Sequence, residues 1–597
     1  MKWNRTVKIM FGIQGILSVF LGIVMLAHRS LSLSETAGAF LLILLYLFLS
    51  CHFVHTIRKA SRISAIGYFV LKSFLDLALI KEFMRPAIAA DTWQVYDMSR
   101  YVFSDFGYME RIRQHIMNTH YEMAFPPLQP VLTAAANAVF NTGVTMACLI
   151  NSLACIVILE LLSETGRRKK CEITLLTAAG VMMITDLFIH QVAGGSSNVP
   201  GYLFLAMIFR EFLFSDLTDP SAVLRTGLLA GLGLMNRFDF LAVVGCALIG
   251  ILLICFQNTE KKKCLVLILI YIAAVAAVCL PWIIYSQSHF GRFFVTDNGR
   301  RLTNIPDTRP STYFPREMPA LTIHDDFPAW LIAFSGRNLT ALNSLIWVIL
   351  HQSFLPEVLV FFLGVFLVTR VSVLQTMGNR LKETLRDQRM TAVWLCVCGL
   401  ELIYMLTGYK NERYHVLFVF FLQFGVMETA RSLRNHLSTD KEKKTFSRIL
   451  AVILTVGAIR SVHIYKPWKW VASFTHHQDY PSLIRLNEEE KELADYLLNH
   501  SNCLCIDRED LDDSSHRFFT LCRASTILSP DNISKENVSY FVRDFEINCL
   551  YTTHPEMIDL FRESFDVRET GHKDFYLIIH PSNNTGNTDG KDRGNEK

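Results

Sequence analysis

The sequence predicts an all-α polytopic membrane protein with a small C-terminal α/β domain. Three observations predict it. Hydrophobic residues make up 51% of the 597 positions and charged ones 19%, and the mean hydropathy is +0.29. The shortage of charge is local: runs long enough to cross a bilayer, about 20 mainly apolar residues each, recur up to residue 465. From about residue 480 the runs give way to short alternating strand and helix signals. This composition excludes a disordered, fibrous or simple soluble chain. A net charge of +4 gives nucleic acid nothing to bind.

Thirteen spans are expected, near 9–27, 36–56, 63–84, 142–163, 172–190, 198–214, 222–235, 239–256, 264–284, 350–369, 391–408, 413–430 and 447–464. The first follows Lys2, Arg5 and Lys8 and lacks a clear cleavage site, so it reads as a retained helix. The span at 222–235 is short enough to continue through Asn236-Arg237 as a broken element. Orientation follows from the basic segments. Arg58-Lys59 with Arg62, Arg167-Arg168-Lys169-Lys170, Lys261-Lys262-Lys263, and segments 370–389 and 431–448 all fall on one side of the count. The positive-inside rule makes that side cytoplasmic. The expectation is a multi-pass protein of the cell membrane, with its N-terminus inside and its C-terminal domain outside.

The domains expected are an N-terminal hairpin (1–62), a membrane domain (63–465) with long outer loops at 85–141 and 285–349, a soluble α/β domain (480–580) and a disordered tail (581–597). Both long loops mix aromatic residues with charge, which suits short helices lying at the membrane surface. In the soluble part a helix is expected at 488–499, strands at 503–506, 549–551 and 575–579, and a helix at 555–565. No GxGxxG or P-loop supports a nucleotide site. Of fourteen cysteines, Cys503, Cys505, Cys522 and Cys549 lie in this polar part. Three pairings are open to them, as are free thiols.

The chemistry-bearing residues gather on the outer side of this count. Asp91 opens the first long loop, where a carboxylate is placed to act as general base on an acceptor hydroxyl or simply to cap a helix. Asp97 and Glu122 are supporting acids on the same loop. Pro126-Pro127 forms a rigid entry to the next helix. Asn236-Arg237-Phe238-Asp239 interrupts an apolar run, and an ionisable residue at that depth is a candidate by default. Arg237 suits bidentate phosphate binding, with snorkelling as the ordinary alternative. Arg300, Arg301, Lys410 and Arg413 add cations to the same side. Metal is weakly signalled: His115 and His120 lack the i,i+4 spacing of a zinc pair, leaving only a loosely held divalent cation near a phosphate. Lys72, Asp76 and Asp186 lie inside spans, as transporter residues or helix-pairing residues do. Sequons at Asn338, Asn499, Asn532, Asn537 and Asn583 fall on the outer side.

In order, these pieces resemble the polytopic GT-C glycosyltransferases that use polyprenyl-phosphate sugars, among them protein O-mannosyltransferases and the lipid A aminoarabinose transferase. The matching features are Asp91 with Tyr96 and Ser99, Pro126-Pro127-Leu128, Pro281-Trp282 with Phe290-Gly291, and Arg413-Tyr414. The resemblance covers roughly 63–465. It implies inverting transfer of a sugar from a polyprenyl-phosphate donor to a glycan, lipid or protein acceptor on the extracytoplasmic side. Asp91 would then be the base, and Arg237, Lys410 and Arg413 would bind the donor phosphate. The chain departs from the pattern at Tyr285-Ser286, where many relatives carry Arg-Asn. It departs again at Asn198, where many carry a second acid. A transporter or flippase of lipid-linked sugars, or an inactive scaffold of the same fold, are the alternatives.

Overall fold

The computed structural model describes residues 2–27, 33–84, 99, 126–140, 146–193, 195–290, 304–306, 320–322, 327–369, 373–407, 412–437, 439–464, 503–506, 526–528, 535, 538, 542, 549–552, 554–569 and 575–579. The chain divides near residue 485 into a helical unit and a sheet-bearing unit.

Each expected span overlaps helix among the described residues of the helical unit. The first three are α1 (Lys2–Ala27), α2 (Leu33–Ile57) and α3 (Arg62–Met84). Next come α4 (Leu128–Phe140), α5 (Met146–Arg168), α6 (Glu172–Met183), α7 (Asp186–Ala193) and α8 (Asn198–Phe214). The series continues with α9 (Pro220–Asn236), α10 (Leu241–Asn258) and α11 (Lys261–Phe290). It ends with α12 (Phe327–His351), α13 (Leu355–Thr369), α14 (Val373–Arg386), α15 (Gln388–Thr407), α16 (Val416–His436) and α17 (Asp440–Ile464). Among the described residues, eight helices are long and apolar enough to cross a bilayer, and the bent pair α12–α13 makes nine.

The structure corrects the expected pattern in four places. The span at 172–190 is broken: Thr185, fully buried, turns its hydroxyl onto the Met182 carbonyl at 2.7 Å and ends α6. Leu128–Phe140 is helical, so the helix that Pro126-Pro127 introduces begins inside the expected loop 85–141. Pro281 does not end its span; α11 runs through it to Phe290. Most of the expected loop's second half is α12, whose Ser335-Gly336-Arg337-Asn338 stretch lowers the local hydropathy without breaking the helix.

Where α12 lies follows from two arginines. Arg337 donates to the Leu406 carbonyl at the end of α15 (2.8 Å). Beyond the bend, Arg460 near the end of α17 bonds the Leu350 and Ser353 carbonyls and the Glu357 carboxylate. These bonds set α12 against the ends of both α15 and α17, and α13 turns from it at a bend of 68°. Counted as one span, the pair keeps the basic segments on one side of the expected count. Those segments meet at the opposite ends, where Lys169 faces Asp387 at 4.0 Å and Arg389 donates to the Leu213 carbonyl at 3.3 Å.

Close packing explains the order of the middle helices. Gly227 and Gly231 sit one turn apart on α9. A β-carbon at Gly227 would stand 2.7 Å from Ala274 Cβ and 2.8 Å from the Tyr271 carbonyl of α11. Small residues at this spacing let two membrane helices approach backbone to backbone. The α1–α2 hairpin is pinned to α3 by a buried ion pair. Lys72 Nζ donates to Gln14 (2.6 Å), Ser50 (2.8 Å) and Asp76 (2.7 Å), using all three of its protons. Tyr46 donates to the second Asp76 oxygen at 2.5 Å.

The second unit holds one sheet of order β4-β3-β5-β7-β6, formed by β3 (Cys503–Ile506), β4 (Thr526–Leu528), β5 (Cys549–Thr552), β6 (Asp566–Glu569) and β7 (Phe575–Ile579). β1 (Asn304–Pro306) and β2 (Ala320–Thr322) form a separate antiparallel pair. β3 pairs parallel with β4 and β5, whereas β7 runs antiparallel to β5 and β6. Helix α18 (Pro555–Arg562) lays Ile558 and Phe561 on Leu550, Val567 and Ile578. The expected strands and the helix at 555–565 are present. The three-residue β4 and the charged edge strand β6 had no sequence signal. Cys549 is a buried free thiol, and the helix expected at 488–499 lies outside the described residues.

Candidate functional site

The site is built on the turn that joins α7 to α8. α7 closes in a Schellman motif: the Ser196 amide bonds the Gln191 carbonyl (3.0 Å) and the Gly195 amide bonds that of Val192 (3.3 Å). The motif needs a left-handed residue, and Gly195 supplies it at φ 66°. Amide side chains from three other helices then seize the turn's carbonyls. Gln129 of α4 donates to Gly195 O at 2.8 Å. Asn151 of α5 donates to Gln191 O and Ser196 O, both at 2.9 Å. Asn236, the last residue of α9, donates to Ser197 O at 2.8 Å.

Arg237 follows at the break between α9 and α10. Its backbone is extended (φ −151°, ψ 127°), and this throws the side chain onto the turn. Nε lies 3.0 and 3.1 Å from the two Asp239 oxygens, and Nη2 also meets Asp239. Nη1 reaches Ser197 Oγ at 3.1 Å and bonds Asn198 Oδ1. Gly201 of α8 makes room, since a β-carbon there would lie 3.3 Å from Arg237 Cδ. Asn198 in turn donates to Gln191 Oε1 (3.0 Å), which Tyr202 also approaches (3.1 Å).

Arg413 arrives from the one-turn 3-10 helix Glu412–Tyr414 that precedes α16. Its guanidinium and that of Arg237 each lie 5.2 Å from the centroid of the Tyr414 ring. Tyr404 of α15 packs on the same ring with centroids 5.1 Å apart. Tyr202 ties the two halves together, its hydroxyl lying 3.2 Å from the Arg413 carbonyl. One residue on, the fully buried His415 holds Glu401 through Nδ1 at 2.7 Å.

Of the residues singled out in the sequence, the structure brings Arg237 and Arg413 to one ring, that of Tyr414. Asp91, Asp97, Glu122, Arg300, Arg301 and Lys410 lie outside the described residues. Asn236 and Asp239 were legible only as part of the interruption around Arg237, whereas Ser197, Tyr202, Tyr404 and the amides at 129, 151 and 191 carried no signal of their own. Asn and Gln inside apolar runs are the trace that could have found the amides. For a divalent cation, no group of three or more His, Cys, Asp or Glu exists among the described residues. Both Asp239 oxygens are engaged by Arg237 and Glu401 faces His415, so the cluster does not fit a metal. Lys72 and Asp76 are wholly occupied by each other and their neighbours.

Together, fold and site define a polytopic α-helical membrane protein with two cations and a pinned polar turn at one end of its bundle. No family model and no curated protein matches the sequence. Among solved structures it is similar to ArnT from Cupriavidus metallidurans bound to undecaprenyl phosphate, at 10% identity and TM-score 0.46, covering 86% of this chain and 98% of that one. It is also similar to the Archaeoglobus fulgidus oligosaccharyltransferase tethered with an acceptor peptide, at 10% identity and TM-score 0.45, covering 82% of this chain and 69% of that one.

Proposed function

We propose that this chain is an integral membrane glycosyltransferase that moves a sugar from a polyprenyl-phosphate donor to an acceptor hydroxyl on the extracytoplasmic side. The observation that carries the reading is the convergence of Arg237 and Arg413 on Tyr414 beside the α7–α8 turn and the α9–α10 break. A guanidinium is a planar two-pronged match for a phosphate as for a carboxylate. Asp239 holds Arg237 in that binding geometry and keeps its charge balanced until a phosphate competes for it. Arg413 and Lys410 supply further positive charge as the phosphate departs, which is where charge accumulates in the transition state.

In this reaction Asp91 takes the proton of the acceptor hydroxyl as its oxygen attacks the anomeric carbon. The sugar–phosphate bond breaks on the opposite side, so configuration inverts, and the lipid phosphate leaves toward the arginines. Asp97 and Glu122 support the base. The intramembrane Lys72 and Asp76 have their bonds satisfied within α1–α3, so nothing about them favours transport.

Asp91→Asn, assayed for sugar transfer in membranes with expression matched to the unsubstituted protein, should cost about 10²- to 10⁴-fold in kcat, the usual share of a general base. Nuclear magnetic resonance of the product anomer checks inversion. Transfer at the unsubstituted rate removes Asp91 from the reaction.

A further inference from the structure

Three buried amide oxygens beside the 191–197 turn are left without a donor among the described residues. The nitrogens of Gln129, Asn151 and Asn236 all donate to the turn's carbonyls, and this fixes which end of each amide is oxygen. The oxygens Gln129 Oε1, Asn151 Oδ1 and Asn236 Oδ1 are buried and have no hydrogen-bond partner among the described residues. The three side chains are at most 1% exposed. A buried acceptor left without a donor costs about 1–3 kcal/mol, and here three occur around one seven-residue turn. Each amide is planar and short, so each oxygen stays beside the carbonyl that its nitrogen holds.

The charges around the turn narrow what can supply the donors. Arg237 reaches into the turn through Ser197 and Asn198. The acceptor oxygens repel a carboxylate. Asp239 cancels Arg237, so the surroundings carry no net charge to balance an ion of either sign. Uncharged hydroxyl groups fit: each donates one proton to an amide oxygen and needs no counter-ion.

We propose that Gln129, Asn151 and Asn236 form a hydroxyl-reading subsite that selects a neutral sugar, one without an amino or carboxyl group, on the lipid donor. This rests on the glycosyl-transfer reading above and adds the substrate class to it. Arg237 links the two parts, since one guanidinium touches both the turn and the phosphate-binding position.

The test compares two polyprenyl-phosphate donors in membranes, one carrying a neutral hexose and one an amino sugar. The unsubstituted protein should prefer the hexose in kcat/KM by at least about tenfold, the worth of one satisfied hydrogen bond. Asn236→Asp and Gln129→Glu keep shape and an acceptor oxygen while adding negative charge, and each should shift that ratio at least about tenfold toward the amino sugar. A purely structural role for the amides, or occupancy by buried water, lowers both donors together and leaves the ratio unmoved; that result overturns the inference. Preference of the unsubstituted protein for the amino sugar overturns it too, even if neither variant accumulates. Transfer of neither sugar defeats the glycosyl-transfer reading itself, whereas transfer with an unmoved ratio leaves that reading standing.

Discussion

Two of the buried ion pairs among the described residues of the helical unit, Lys72–Asp76 and Arg237–Asp239, are finished to different degrees. Lys72 and Asp76 are each 2% exposed, and every ammonium proton is met by Gln14, Ser50 or Asp76. Arg237 and Asp239 are nearly as buried, at 12% and 1%. The first pair closes a set of three helices and leaves no bond to offer. The second is surrounded by side chains that have given their donors and kept their acceptors. Burial of a charge pair alone therefore does not separate the two; the unmet amide acceptors around the turn that Arg237 reaches do.

The sharpest way to break the comparison is at the closed pair. Lys72→Met strands Asp76 in apolar surroundings, and losing one partner of a buried pair costs about 3–5 kcal/mol. The expected outcome is loss of monodisperse protein after detergent extraction, with recovery in the double variant Lys72→Met/Asp76→Leu, which removes both charges. At the open pair Arg237→Lys should fold but lose the planar fork. About 1.5–3 kcal/mol of charged hydrogen bonding is at stake, which appears as a rise of roughly ten- to a hundredfold in the donor KM. Loss of folding in this variant with normal folding of Lys72→Met would reverse the assignment of the two pairs.

Gly227→Val tests packing away from both pairs. Its new carbons meet the α11 backbone, and overpacking of this kind costs about 1–3 kcal/mol, measured as a lower thermal midpoint in detergent with donor KM unchanged. An effect of similar size, read in donor binding rather than in folding, is expected at Tyr414→Leu. It removes the ring that both arginines face, worth about 0.5–2 kcal/mol per cation, and should raise donor KM without moving the thermal midpoint.

The helices were legible because hydropathy accumulates over about twenty residues and local detail averages out. The same averaging hid the break at Thr185, where one hydroxyl ends α6 inside an otherwise apolar run. It hid α12 as well, since Gly336 and Arg337 lower the mean without preventing helix. Arg237 and Arg413 were legible as cations at span ends. Asp239 was not singled out as the partner of Arg237, because two residues of separation read as a simple interruption until the extended backbone at 237 turned them together. The amides were illegible for a different reason. They come from α4, α5 and α9, and only the folded chain sets them around one turn.

The clamp that Arg460 makes has a mechanical consequence. Its one guanidinium grips carbonyls on the last turn of α12 and in the bend, together with a carboxylate on α13, so unbending the joint would abandon all three at once. The two rods form a bracket of fixed angle, able to tilt as a piece but not to straighten.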